Sequence, residues 1–396
     1  MSAQAVAPLA GARLGLLSIF GSTFFELVGH FMLMPLLLLR MKGDDVSSTV
    51  AGLFAATGWL GIFLLTPFAS AIANRMGRRP AMWLAAGVLT CAALAFTLTN
   101  QLWLWFVFNL ASGLAMALRW VLAEALIAEF CPPGQRGRYV GIFQTLVSAT
   151  FIIGPAAMVW LGANNPATLW VVVAFSALGL LWTLFIPPVP PAHDTDTAHV
   201  GWKGLWHALL AHPIIMLAGF VGGFFETGVT SILPLYGLAM GLGVAGAAML
   251  VSISGLGGVA IMLPAGMWAD RFADPASGRR TIMLICAITN LAATCVLPWV
   301  ASIAWLCWPI VFLWGGAGGT LYTMAMIDIG AREKGITLVN STSVLVLTYT
   351  LGGLVASGIS GALIDWSPTV AFPGVLIAVA AIGLVSLVRS RRTANL

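Results

Sequence analysis

Charge is what this chain has least of. Only 8% of its 396 residues are Asp, Glu, Lys or Arg, whereas a soluble protein carries about 25%. Hydrophobic residues make up 60% and the mean hydropathy is +0.99. No soluble fold could cover that much apolar surface, so the bilayer must be the solvent. The net charge of +5 is dispersed among short loops, which gives no basic face for nucleic acid. Cysteine is scarce and unpaired in pattern. Cys91, Cys131, Cys286, Cys295 and Cys307 include no C-x-x-C, and four of them fall in apolar runs, which excludes a disulfide or zinc framework. There is no G-x-x-x-x-G-K-S/T phosphate loop, no H-E-x-x-H and no soluble stretch able to hold a catalytic site. Neither an enzyme nor a bound cofactor or metal is expected. An A-x-A cleavage site is also missing after Arg13, where the apolar run continues past leader length, so this run reads as a first membrane helix.

What the chain does have is long apolar runs, 44 glycines and 16 tryptophans. Glycine lets membrane helices pack closely and tryptophan favours the interfaces. Twelve runs reach the roughly 20 residues that a spanning helix needs. They lie at about 14–39, 48–72, 80–99, 102–127, 139–162, 167–187, 213–238, 243–268, 281–301, 304–328, 337–363 and 369–388. The longest connection, 188–212, holds Pro190, Pro191, His193, Asp194, Asp196, His199 and Lys203. It separates six runs from six. The expected fold is an all-α membrane protein of two pseudo-symmetric six-helix bundles, 1–187 and 213–396, joined by a linker.

Basic residues concentrate on cytoplasmic loops. Arg75, Arg78 and Arg79 follow span two, Arg136 and Arg138 span four, Arg271, Arg279 and Arg280 span eight, Arg332 and Lys334 span ten, and Arg389, Arg391 and Arg392 end the chain. All lie on the side of Arg13 if each run crosses once. The other side has only Arg40 and Lys42, beside Asp44 and Asp45. Both termini are expected in the cytoplasm.

A repeat stands out against this background. Phe24-Phe25-Glu26 recurs as Phe224-Phe225-Glu226, with Pro35 and Pro234 at nearly the same distance beyond. A carboxylate within the bilayer costs roughly 2.5–3.5 kcal/mol or more, so it usually marks an ion, proton or substrate path. Two similar halves with such residues point to a secondary transporter with its site between them. Glu26 and His30 are four apart and share a helix face, as do Glu226 and Thr230. A glutamate so placed can take a proton from one side and give it to the other. It can equally stay protonated and bond a neighbouring helix. His30 titrates near neutrality when unperturbed and could relay that proton, or be a packed polar residue. Arg119 is a counter-ion to Glu26, an anion contact or a brace between helices. Glu124 could pair with Arg136 or Arg138, and Glu129 reads as an interface charge. Among apolar residues, Phe25, Trp120, Phe225 and Tyr322 are candidate substrate contacts, though the packing or lipid-facing reading is stronger for each alone.

The loop after span two reads S-A-I-A-N-R-M-G-R-R-P, from Ser70 to Pro80, and the loop after span eight reads G-M-W-A-D-R-F-A-D-P-A-S-G-R-R, from Gly266 to Arg280. Both resemble the G-x-L-A-D-R-x-G-R-R loop of the major facilitator superfamily. The resemblance covers essentially the whole chain. It implies a cytoplasmic gate at Asn74, Arg75, Arg78, Asp270 and Arg271. Ser70 and Asn74 depart from the pattern, and Asn74 offers no charge to a first-half latch. Gly154-Pro155 in span five is similar to the motif of proton-coupled exporters, with Gly352-Gly353 matching it in span eleven, but Ala156 and Ala157 replace the expected glycines. Many proton-coupled members carry an arginine four residues before a span-four glycine; here Asn109 precedes Gly113. In this family spans one, four, seven and ten line the cavity, and Glu26, His30, Arg119, Glu124 and Glu226 all fall on the first three. The stretch around Arg119, with L-Y-T-M-A-M-I-D in span ten, resembles a branch of bacterial permeases and implies a bacterial inner membrane.

The first expectation is proton-coupled export of a small amphipathic or cationic compound by a monomer, with Glu26 and Glu226 binding protons or the cation in turn. The alternative is proton-coupled import of an organic anion or nutrient, with Arg119 contacting a carboxylate and a glutamate carrying the symported proton. Glu26 and His30 are too few to make a metal carrier. A sensor that binds without moving its ligand is distinguished from a carrier by flux alone.

Overall fold

The computed structural model describes residues 11–130, 136–188, 202–269, 272, 274–332 and 335–393. Helix α1 spans Ala12–Gly43 and α2 Ser48–Leu65. A 3-10 turn at Thr66–Phe68, with Pro67 inside it, then leads into the short α3, Ala69–Met76. Proline lacks the amide that would continue the α pattern, so the α-helix breaks there. Next come α4 (Arg78–Leu98), α5 (Leu102–Phe130), α6 (Arg136–Leu161) and α7 (Ala167–Leu184). After α8 (Trp202–Ala211), the seventh span is assembled from α9 (Pro213–Gly223), a π-helical turn at Phe224–Val229 and α10 (Thr230–Ala239). Helices α11 (Val244–Ala269), α12 (Pro275–Val300), α13 (Ala304–Arg332), α14 (Gly335–Trp366) and α15 (Ala371–Thr393) complete the chain.

Among the described residues, eleven helical stretches are long and apolar enough to cross a bilayer. The fifth expected span coincides with α6, whose apolar part is the shorter Thr145–Leu161. The expected linker 188–212 is helical at its end, because α8 falls inside it. Helix α12 begins where expected for a capped helix: Asp274 accepts from the amides of Ala276 and Ser277, both at 3.1 Å, with Pro275 at the first position.

Packing divides the chain into two compact units. One takes Met1–Met34 with Leu60–His193, the other Pro35–Trp59 with Asp194–Leu396. Pro35–Trp59 thus packs with the second unit. In the first unit α4 packs on α5 and α7. Phe31 of α1 stacks on Phe151 of α6 at 3.8 Å between ring centres. In the second unit α13 packs on α9, α11 and α12, while α14 packs on α9 and on the π turn. Large apolar side chains such as Leu53, Leu84, Val107 and Ile288 face outward, as a lipid-facing surface requires. Trp160, Trp299 and Trp366, 86%, 84% and 82% exposed, sit at helix ends away from the arginine-bearing loops, where an interfacial belt is expected.

Candidate functional site

Among the described residues of the first unit, one ion pair is buried. Glu26, on α1, and Arg119, on α5, are 3% and 2% exposed and contact each other directly. Two hydroxyls complete the guanidinium's surroundings: Arg119 donates to Thr23 Oγ1 of α1 and to Thr183 Oγ1 of α7, each at 3.4 Å. Thr183 in turn donates to the Gly179 carbonyl at 2.8 Å. Gly179 lets α7 approach this pair, because a Cβ there would lie 2.6 Å from Glu26 Cγ. A buried pair is tolerated when geometry and extra hydrogen bonds offset desolvation. Here three helices supply them. His30, one turn beyond Glu26, is half-buried and presents its ring edge-on to Phe31 at 5.3 Å.

The second unit treats its carboxylate differently. Glu226 lies in the π turn, a local widening of the helix that often marks functional positions. It is half-buried, and Tyr349 of α14 donates to its Oε2 at 3.1 Å. Among the described residues no cation pairs with it. Tyr322 of α13 is half-buried and lies 4.4 Å, ring to ring, from Tyr349. Gly319 leaves room for the carboxylate, since a Cβ there would meet Glu226 Oε1 at 2.7 Å. The result is a carboxylate that accepts from one phenol, whose ring in turn packs on a second, a combination that suits a proton or an organic cation.

The remaining expected residues fall in distinct places. Thr230 is buried; its hydroxyl donates to the Phe225 carbonyl at 3.2 Å and lies at hydrogen-bond distance, 3.1 Å, from the Ser254 hydroxyl of α11. Phe225 is fully packed, its ring 5.3 Å from Phe224 and 5.6 Å from Trp314. Phe25 is half-buried between Phe24 and Phe175, at 5.4 and 6.1 Å. Trp120 follows Arg119 on α5 and is half-buried. Arg75 is exposed and Arg78 half-buried. Asp270 and Arg271 lie outside the described residues, as do the side chains of Asn74, Glu124, Glu129, Arg136 and Arg138. Their gate and pairing assignments remain sequence expectations.

Three features escape a reading of the sequence. Tyr349 is the hydroxyl donor on Glu226; its only signal is a place three residues before Gly352. Thr23 and Thr183 carry no signal, because each is a common membrane residue. Arg279 and Asp328 form a second buried ion pair, Nε to Oδ1 at 3.0 Å, joining α12 to α13. Both halves of that pair are visible in the chain: Arg279 within the second arginine loop and Asp328 at the end of L-Y-T-M-A-M-I-D.

Known proteins share this architecture. The model of the Major Facilitator Superfamily matches residues 19–338. YfkF, an uncharacterized MFS-type transporter of Bacillus subtilis (strain 168), is 23% identical over 263 residues, 65% of this chain and 66% of that one. YcaD, an uncharacterized MFS-type transporter of Escherichia coli O6:K15:H31, is 23% identical over 345 residues, 84% of this chain and 85% of that one. Among solved structures, the nucleoside transporter NupG has a TM-score of 0.73 at 12% identity, over 94% of this chain and 97% of that chain. A D-xylose-proton symporter has a TM-score of 0.76 at 14% identity, over 96% of each. These two show the fold alone. The length of the family match and the helical architecture agree, and the chain belongs to the major facilitator superfamily, as an integral membrane transporter and not an enzyme.

Proposed function

We propose that this chain exports a small amphipathic or cationic compound in exchange for protons, by alternating access between its two six-helix halves, 1–187 and 213–396, linked by 188–212. The carrying observation is the unlike environment of its two glutamates. Glu26 is held by Arg119, whereas Glu226 meets a tyrosine hydroxyl and no paired cation among the described residues. Glu226 is therefore the group suited to a cationic ligand, with Tyr322 and Tyr349 offering aromatic faces. Proton and cation compete for the carboxylates, which gives exchange without direct contact between them. Such competition needs Glu26 and Arg119 to part during the cycle, with His30 as a relay and Thr230 as a polar neighbour. Phe25, Trp120 and Phe225 are proposed to shape the apolar surroundings. The gate is assigned to Asn74, Arg75, Arg78, Asp270 and Arg271. The protein works as a monomer in a bacterial inner membrane, with both termini cytoplasmic.

Import of an organic anion is the competing reading. Its anion contact would be Arg119, but Glu26 already occupies that guanidinium, which favours the cation. Everted membrane vesicles with an acidic interior separate the two. Export predicts that a lipophilic cation accumulates inside them and that the gradient partly collapses. Gradient-driven uptake of an organic anion into right-side-out vesicles, lost in Arg119→Gln, would establish import instead.

A further inference from the structure

At the end of α2 remote from Arg75, one carboxylate of α14 holds the helix start. Asp365 accepts from the backbone amides of Ser48 and Thr49, at 3.0 and 2.6 Å, and from the Thr49 hydroxyl at 2.7 Å. Ser48 and Thr49 are the first two residues of α2, whose opening amides have no partner within the helix. Most helices fill this need with a side chain just before their start. Here the acceptor comes from more than three hundred residues away. It also places a negative charge on the positive end of the helix dipole.

Below the cap, the two helices touch through small residues at four-residue spacing. Ser48, Gly52 and Ala56 line one face of α2, and Ser357, Gly361 and Asp365 line one face of α14. A Cβ on Gly52 would lie 2.7 Å from the Ser357 carbonyl and 3.0 Å from Gly361 Cα. Seams of small residues bring helix backbones close together. By sequence α2 belongs to the first half and α14 to the second.

We propose that Asp365 is a latch: it ties the start of α2 to the end of α14, and its three hydrogen bonds must break before the transport path opens on that side of the membrane. The inference rests on the alternating-access reading above. Asp365 apart, the seam is made of small uncharged residues and contributes no charged contact of its own. The cap supplies the directional, breakable part of the contact. A single carboxylate thus biases which face is open, and its removal favours the state open away from the arginine loops.

The test uses a chain with its native cysteines replaced and a single reporter, Tyr322→Cys, in cells whose outer face is accessible. A membrane-impermeant maleimide reports access from outside; the same reagent in everted vesicles reports access from the cytoplasm. Asp365→Asn is expected to raise the outside labelling rate about fivefold and lower the inside rate, the shift that loss of one ordinary cap produces. Unchanged outside labelling, with one-sided access otherwise intact, overturns the latch and leaves alternating access standing. Rapid labelling from both faces at once overturns both. Should Asp365→Asn fail to fold, the pair Thr49→Cys and Asp365→Cys replaces it. Oxidation of that pair is expected to abolish outside labelling of the reporter; undiminished labelling with the disulfide formed contradicts the proposal.

Discussion

Tyr349 donates its hydroxyl to Glu226 at 3.1 Å from a neighbouring helix, in the half of the chain where no arginine among the described residues meets the repeated glutamate. In the other half Arg119 takes that place against Glu26. One repeat thus yields two chemistries, a neutralised carboxylate and an available one.

Tyr349→Phe removes the hydroxyl and keeps the ring. A hydrogen bond to a charged group contributes about 1.5–3 kcal/mol. The variant should fold, retain the 4.4 Å ring contact with Tyr322 and change apparent affinity for the transported cation by about tenfold or more. Concentration-dependent flux in proteoliposomes measures this. An unaltered affinity would remove Tyr349 from the site.

The Glu26–Arg119 pair makes a stability prediction. Losing one partner of a buried pair costs about 3–5 kcal/mol, because the other charge is stranded. Arg119→Gln and Glu26→Gln should each lower the melting temperature in detergent, and the double variant should lose less than the sum. Strict additivity would mean the two charges do not sense each other.

Arg279 and Asp328 offer the same experiment in the second unit, where the bond is 3.0 Å and both side chains are buried. Asp328→Asn should destabilise the α12–α13 contact by about 3 kcal/mol or more. Arg279→Gln together with Asp328→Asn should recover part of it. Thermal unfolding of the four proteins gives the coupling directly.

Gly179→Leu should be more damaging than its position on an apolar helix implies. Any Cβ there falls 2.6 Å from Glu26 Cγ, so α7 must move away or Glu26 must leave Arg119. Overpacking of this kind costs about 1–3 kcal/mol. Flux should fall well below wild type, while Gly87→Leu, at a glycine with open space around it, should change little.

The architecture was legible because membrane helices announce themselves. With no water to satisfy the backbone, long apolar runs can only be helices, and the arginine loops punctuate them. The run at 139–162 was harder to bound because α6 starts in the polar stretch at Arg136. The linker hid α8, whose ten residues are too few and too mixed to stand out. The buried glutamates were legible because charge is so rare here. Their partners were less so. Arg119 was visible as an ionisable group with three possible roles, and only geometry selects Glu26. The phenol of Tyr349 and the hydroxyls of Thr23 and Thr183 carry no pattern, since each is set by how neighbouring helices face one another. The π turn at Phe224–Val229 is likewise a packing outcome, which the repeat with Phe24-Phe25-Glu26 gave no reason to expect. Asp328 lies at the margin of an expected span, where a charge reads as an end residue.

Glu26 and Glu226 are proposed to couple protons to a cationic substrate. The deciding experiment reconstitutes the purified chain in liposomes and follows internal pH while lipophilic cations are added. Proton release is expected on adding a transported cation, reduced in Glu226→Gln and abolished when Glu26→Gln is combined with it. Undiminished proton-linked flux in the double variant would contradict it.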